Sequence, residues 1–233
     1  ITAGPTTHMT ITQPTDSTGG LPFATQPVVT LLDAGENTVT LTGETALVTV
    51  VKSAGPASGT LNGTITMNAV AGVADFAGKG LLFDEIGSNY ELTASITDPS
   101  AIDVTTTDIE ITAGEPVSLA FTTQPVGNTG GLAFATQPQV TLYDAGGNVV
   151  TVSDRGAASD VVITKKASGG TGSSGLDGTS TVAAVAGIAD FTGLDFDVVG
   201  SYTLVATVIT ANNSPHIVSA GTFTTESDEL TMT

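Results

Sequence analysis

The stretch GGLPFATQPVVTLLDAGENTVT, Gly19–Thr40, recurs as GGLAFATQPQVTLYDAGGNVVT, Gly130–Thr151. Of the 22 positions 17 are identical, and Gly19 and Gly130 stand 111 residues apart. That period fits one β-sandwich of ~100 residues with its linker. The chain therefore reads as two tandem all-β domains of one kind, residues 1–112 and 113–233.

Within the repeat, Val28–Leu32 and Gln139–Tyr143 read as strands, whose alternate side chains face opposite ways. Val29 and Leu31, matched by Val140 and Leu142, occupy the face kept in both copies and are assigned to the core. The other face varies: Val28, Thr30 and Leu32 stand against Gln139, Thr141 and Tyr143. Val28, Leu32, Gln139 and Tyr143 are therefore the candidate interface between domains or subunits. The segments Asp33–Asn37 and Asp144–Asn148 follow directly. Asp, Gly and Asn accept left-handed backbone and cap turns with a side-chain oxygen, so each segment reads as a tight turn. Calcium ligation by Asp33 and Asp144 is the alternative.

Five basic residues, Lys52, Lys79, Arg155, Lys165 and Lys166, face 23 acidic ones, for a formal net charge of −18. Nucleic acid and anionic membranes are bound through clustered Lys and Arg that displace counterions, so neither is an expected partner. Charged residues are nonetheless only 12% of the chain, which leaves Thr, Ser, Gly and small apolar groups to cover much of the surface. Such a surface meets a neighbour at little desolvation cost and suits assembly as well as solubility. There is no Cys for disulfides or thiolate metal sites. No apolar run is long enough to span a bilayer as a helix, so no membrane insertion is expected. Ile1 is not an initiator Met and no leader-like segment follows it. The chain is expected to be a processed product or an excerpt of something longer.

Other segments also come in pairs. Ile1–Gly4 and Ile111–Gly114 share the sequence ITAG and read as a linker. The first strands, His8–Gln13 and Leu119–Gln124, run into Pro14 and Pro125, where the missing N–H stops a ladder. Loops rich in Gly and Ser follow at Ser53–Gly59 and Ser168–Gly175. Ile65, Met67 and Ala69 alternate onto one side of a strand. AGVADF and AGIADF place Phe76 and Phe191 in the core. Tyr90, Leu92, Ala94 and Ile96 are mirrored by Tyr202, Leu204, Ala206 and Val208 at period two. Each Tyr follows a Gly-Ser corner, which predicts a ring packed inside with its hydroxyl on nearby backbone. Last strands are predicted near Val104–Ile111 and Ile217–Thr225, and no segment has helical periodicity.

Catalytic chemistry finds no motif. His8 and His216 fall in different halves on non-equivalent strands and do not read as a metal pair. The run Gly169–Gly175 lacks the strand-to-helix setting that binds phosphate and reads as a flexible hairpin loop. Asp84 and Glu85, neighbours in a strand, face opposite ways, whereas Asp195 and Asp197 can share a face. The favoured cation candidate is the acidic segment around the linker, with Asp98, Asp103, Asp108 and Glu110. It reads either as a calcium site of about six to eight oxygens or as a solvated acidic surface. No other cofactor is expected. Asn62-Gly-Thr64 and Asn212-Asn-Ser214 are glycosylation sequons in predicted loops.

The pattern F-x-x-Q-P, then G-x-x-F-x-x-Q-P-x-V-x-L-x-D-A, later G-x-A-x-F and finally G-x-Y-x-L-x-A resembles the bacterial immunoglobulin-like (Big, invasin-like) repeats of large cell-surface proteins. The resemblance covers nearly the whole chain in two copies. Glu36 departs from the Gly expected before Asn37, and His8–Ile11 departs from Leu119–Thr122. The resemblance implies two tandem immunoglobulin-like β-sandwiches at the cell surface or outside the cell, without catalytic activity. It implies a subunit or segment of a filament, sheath or stalk, joined head-to-tail to copies of itself or to neighbouring repeats. An adhesin module that binds glycan or host protein and an accessory domain of a secreted enzyme are the alternative roles.

Overall fold

The computed structural model describes residues 3–40, 46–97, 101–151, 159–167, 170–209 and 224–233. Every regular element among them is a strand, and none of their helices is long and apolar enough to cross a membrane, there being none at all. The chain divides into two compact units, Ile1–Thr112 and Ala113–Thr233.

The first unit contains β1 (His8–Ile11), β2 (Ser17–Thr18), β3 (Val28–Leu32), β4 (Leu47–Ala54), β5 (Leu61–Asn62), β6 (Thr66–Asn68), β7 (Val73–Asp75), β8 (Leu82–Phe83), β9 (Gly87–Ile96), β10 (Ile102–Thr105) and β11 (Ile109–Thr112). One sheet runs β1-β3-β7 and another β2-β11-β9-β4-β6, with β10 also on β9 and β5 paired separately to β8. Val29, Leu31 and Ala74 from the first sheet join Val48, Val50, Leu92, Ala94, Ile96, Ile109 and Ile111 from the second in a single core. Period-two alternation supplies both inner faces and leaves Thr49, Thr93 and Ser95 outside, together with the exposed Leu47 and Val51. The result is an immunoglobulin-like β-sandwich.

The second unit follows the same plan with β12 (Ser118–Thr123), β13 (Gln139–Tyr143), β14 (Asp160–Lys165), β15 (Thr181–Ala183), β16 (Ile188–Asp190), β17 (Gly200–Tyr202), β18 (Leu204–Ile209), β19 (Thr224–Glu226) and β20 (Leu230–Met232). Its sheets are β12-β13-β16 and β15-β14-β18-β19, with β17 paired to β20. Val140, Leu142, Phe191, Leu204, Ala206 and Val208 are buried in its core.

Two strands, not one, finish each unit, β10 and β11 in the first and β19 and β20 in the second; most of the last strand expected at Ile217–Thr225 lies outside the described residues. Between β10 and β11 the buried Thr106 turns its hydroxyl inward to accept the Leu92 N–H at 2.9 Å, while its own N–H donates to the Leu92 carbonyl at 2.9 Å. Ser227 does the same for Leu204 in the second unit. A short hydroxyl side chain thus replaces the ladder bond lost where the strand breaks and pairs the Leu92 and Leu204 N–H groups.

Tyr90 and Tyr202 close one end of their units as corner residues. The Tyr90 hydroxyl donates to the Glu85 carbonyl at 2.8 Å, and that of Tyr202 to the Val198 carbonyl at 2.6 Å. Each ring stacks on a Phe, Phe83 with centroids 4.1 Å apart and Phe196 at 3.7 Å. Over the rings stand Lys52, at 6.0 Å, and Lys165, at 5.8 Å. Lys52 donates to the Pro56 and Gly59 carbonyls and Lys165 to that of Ser174, so each ammonium ties the loop after its strand down over the ring. A Cβ at Gly59 would strike the Tyr90 hydroxyl, and one at Gly172 the Tyr202 ring. These loop glycines are therefore required by close approach to an aromatic ring.

Burial, followed by the nearby Glu85 and Asp84 carboxylates, pushes the Tyr90 hydroxyl up to about 12, so it remains a donor at any ordinary pH. Tyr90→Phe keeps the stacking but leaves the Glu85 carbonyl without this donor, a loss of about 1–2 kcal/mol. A melting temperature lower by roughly 5–10 °C in calorimetry is expected for a unit of this size. An unchanged melt would show that the hydroxyl does not brace the corner.

Candidate functional site

Two groups of polar residues written identically in both copies make long-range or turn-capping bonds. In the first, Gln26 and Gln137 of the FATQP motif act as a substitute strand. The Gln26 amide donates to the Phe23 and Leu81 carbonyls, and its oxygen accepts the Leu81 N–H at 2.9 Å. Gln137 bonds Phe134 and Leu194 in the same pattern. Pro27 and Pro138 have no N–H to offer, but their carbonyls accept from Phe76 and Phe191. Gln13 and Gln124, also followed by Pro, fasten the first strands to Thr107 and Asp228 respectively.

The second group is in the turn after β3 or β13. Oδ1 of Asp33 accepts the Gly35 and Asn37 N–H groups, at 2.8 and 2.9 Å, and Oδ2 accepts Gly4 N–H at 2.8 Å. The Asn37 amide adds two further bonds. Asp144 is held by Gly114, Gly146 and Asn148 in the same way. Both carboxylates are buried, and N–H donors occupy the directions from which a cation would approach. Asp33 and Asp144 are turn caps, and the calcium alternative falls for that reason. Gly4 and Gly114 belong to the repeated ITAG segments, so the last residue of each is anchored to the unit that follows it.

At the position before Asn37 the backbone is left-handed, with φ 65° at Glu36 and 83° at Gly147. Glu36 occupies it as a non-glycine, and its carboxylate meets His8 Nε2 at 3.1 Å in an exposed pair. His216 lies outside the described residues.

The other expected sites are differently placed. Val28, Gln139 and Tyr143 are half-buried, but Leu32 is buried, flanked by His8 in β1 and by the bridge to Thr38. Gln139 spends its side chain inside the sheet on Asp190 and Thr122, and Thr141 is buried against the Thr122 hydroxyl. The face that varies between copies is thus not uniformly presented. Of the acidic linker set, Asp98 lies outside the described residues, while Asp103, Asp108 and Glu110 are exposed. Asp103 pairs with Ser95 and Ile109 with Tyr90, five residues apart along β9 or about 17 Å. Strand register therefore spreads Asp103 and Glu110 along β9 instead of gathering them. Asn62 is exposed but sits in the short strand β5, not in a loop; Asn212 lies outside the described residues. Gly170–Gly175, read as part of a flexible loop, is held by Gly172 N–H on the Ser201 carbonyl, by the Ser174 hydroxyl beside Tyr202 and by Lys165.

Asp195 and Asp197 do share a face, and Asp177 joins them through the bridge Asp177↔Asp195. Their carboxylate oxygens lie within 4.8 Å of one another, the group among the described residues that could hold a metal ion. The first unit has Asn62, Leu82 and Asp84 at the corresponding places, with Asn62 opposite Leu82. Asp84 there accepts the Thr60 N–H at 2.6 Å. Burial, reinforced by the charges of Asp177 and Asp197, raises the Asp195 pKa. Asp177 escaped the sequence reading because a pairing across 18 residues, not local spacing, brings it in.

No family model matches the chain, and no curated protein matches it. Solved structures do. The D00-D0 domain of intimin is similar over 97% of this chain and 99% of its own, with 13% identity and a TM-score of 0.44. The fibronectin(III)-like modules of Clostridium thermocellum CbhA cover 96% of this chain and 92% of theirs, with 11% identity and a TM-score of 0.24. The tandem Ig repeats of Dlar cover 96% of each chain, with 10% identity and a TM-score of 0.22.

The Gly4 N–H, then that of Asn37, pulls the Asp33 pKa down to about 2, with Gly35 and the Asn37 side chain adding to the effect. A depressed carboxylate stabilises the fold above its unfolded value of about 3.9. That contribution is lost as the pH falls through about 2. Asp33→Asn should melt lower than the parent at neutral pH, with the difference shrinking across that acid window. Asp195 carries the opposite sign: its raised pKa favours folding at acid pH and that advantage is lost as the pH rises through the folded value. Asp195→Asn should therefore raise the melting temperature by a few degrees at neutral pH and by nothing in acid. A gap that did not change with pH would remove the electrostatic explanation.

Proposed function

We infer that the chain is a non-catalytic structural module, a subunit or segment of a surface filament, sheath or stalk built from immunoglobulin-like domains of the bacterial surface-protein kind. The observation that carries this reading is the duplicated set of braces: Tyr on Phe under Lys, Gln as a substitute strand, and Asp as a turn cap holding the incoming glycine. Gln26 and Gln137, Asp33 and Asp144, and Asn37 and Asn148, retained in both copies, hold strands and turns. Outside the braces some positions differ between the copies, as Val28, Leu32 and Glu36 do from Gln139, Tyr143 and Gly147, which suits repeats that meet different neighbours.

The Thr- and Ser-covered outer faces suit work outside the cell, where a net charge of −18 keeps a concentrated array soluble. Its partners are copies of itself or adjoining repeats, added head-to-tail.

Negative-stain electron microscopy with and without a calcium chelator tests the reading. Strings with a repeat of roughly 80 Å, two sandwiches of about 40 Å each, are the expected result for a subunit; extended two-bead particles are expected for a stalk segment. Saturable binding of a glycan or peptide by particles that neither extend nor assemble would replace the structural role with an adhesive one.

A further inference from the structure

Asn62-Gly63 is the sole Asn-Gly dipeptide in the chain. Asn62 ends β5 opposite Leu82, with an exposed side chain whose amide donates only to the Thr60 carbonyl two residues back, at 3.2 Å. Gly63 has φ +101°, and a Cβ there would come 2.5 Å from the Gly80 carbonyl oxygen. The fold thus demands glycine at this position, and a glycine has no side chain of its own to hinder its backbone nitrogen. In the second unit the matching dipeptide is Asp177-Gly178, with Gly178 at φ +90° and its own Cβ position filled by the Gly193 carbonyl. There the same architecture already carries a carboxylate where the first unit carries a carboxamide.

We propose that Asn62 is a self-modification site, converted by its own backbone to a carboxylate. The Gly63 nitrogen attacks Asn62 Cγ and forms the ring N–Cγ bond; the bond from Cγ to the side-chain nitrogen breaks, and that nitrogen leaves as ammonia with the proton given up by Gly63. Water then adds to one of the two carbonyls of the five-membered imide and opens it, to aspartate or to its isoaspartyl isomer. No oxidant or reductant is involved. The aspartate product places a negative charge at the position from which Asp177 approaches Asp195 and Asp197. The isoaspartyl product lengthens the main chain by one carbon directly before a glycine packed on Gly80, and loosens the pairing of β5 with β8. Either product destroys the sequon, so a glycan on Asn62 and this conversion exclude each other.

Peptide mapping of the full chain, aged for weeks in mildly alkaline buffer, tests the proposal. The Asn62 peptide should shift from amide to acid several-fold faster than any other Asn peptide and split into aspartyl and isoaspartyl forms. Asn62→Asp should match the aspartyl product in elution, and Asn62→Gln should not convert over the same time. An Asn62 that stays amidated in the folded chain while the same chain converts in urea would overturn it, because the fold would then lock the carboxamide away from Gly63.

Discussion

A tyrosine hydroxyl aimed at a backbone carbonyl closes one end of each sandwich, and much of the surrounding structure keeps that ring in place. The carbonyls of Glu85 and Val198 lie on loops that turn into the next strand, where no ladder can serve them. Supplying the donor from a ring buried in the core links the loop to the packing of both sheets. A buried aromatic pair adds about 0.5–1.5 kcal/mol beyond its burial, and the Lys over each ring converts a sheet residue into an anchor for the neighbouring loop. Glycine is then required wherever that loop crosses the ring, which explains why the Gly- and Ser-rich segments occur in both copies at this place.

The same economy governs the strand ends. Where a strand stops, its backbone groups need partners other than a ladder. Gln26 and Gln137 supply a donor and an acceptor from one side chain, Thr106 and Ser227 supply a hydroxyl, and Asp33 and Asp144 collect several N–H groups at once. Each solution needs only one or two side chains, so it survives duplication even when the outer surface changes. The two units differ at positions outside the core: His8 and Glu36 in one, Asp177 and Asp195 in the other.

Much of this was legible in the sequence because period-two alternation and internal repetition report the same thing twice. Val29, Leu31, Phe76, Tyr90 and their partners are buried as their spacing demands. The corner hydroxyl bonds were legible as well, from a Tyr placed after Gly-Ser. The roles of the Gln residues were not: Gln-Pro was read only as a stop to the ladder, since nothing in the sequence says which distant backbone an amide will reach. Ile65 shows the limit of alternation, because it stays exposed at the sandwich margin while Ala69 on the same strand side is buried. The approach of Asp177 to Asp195 and the spread of Asp103 and Glu110 are both consequences of register, which local spacing does not contain.

The central claim is that two separately braced sandwiches resist extension. Pulling the chain from its two ends in a single-molecule force experiment tests it most directly. The account predicts two distinct unfolding events, each releasing about 400 Å of chain at ~3.6 Å per residue, with the peaks weakened one at a time by loss of either tyrosine hydroxyl. Smooth extension without peaks, or one event that releases the whole chain at once, would contradict it.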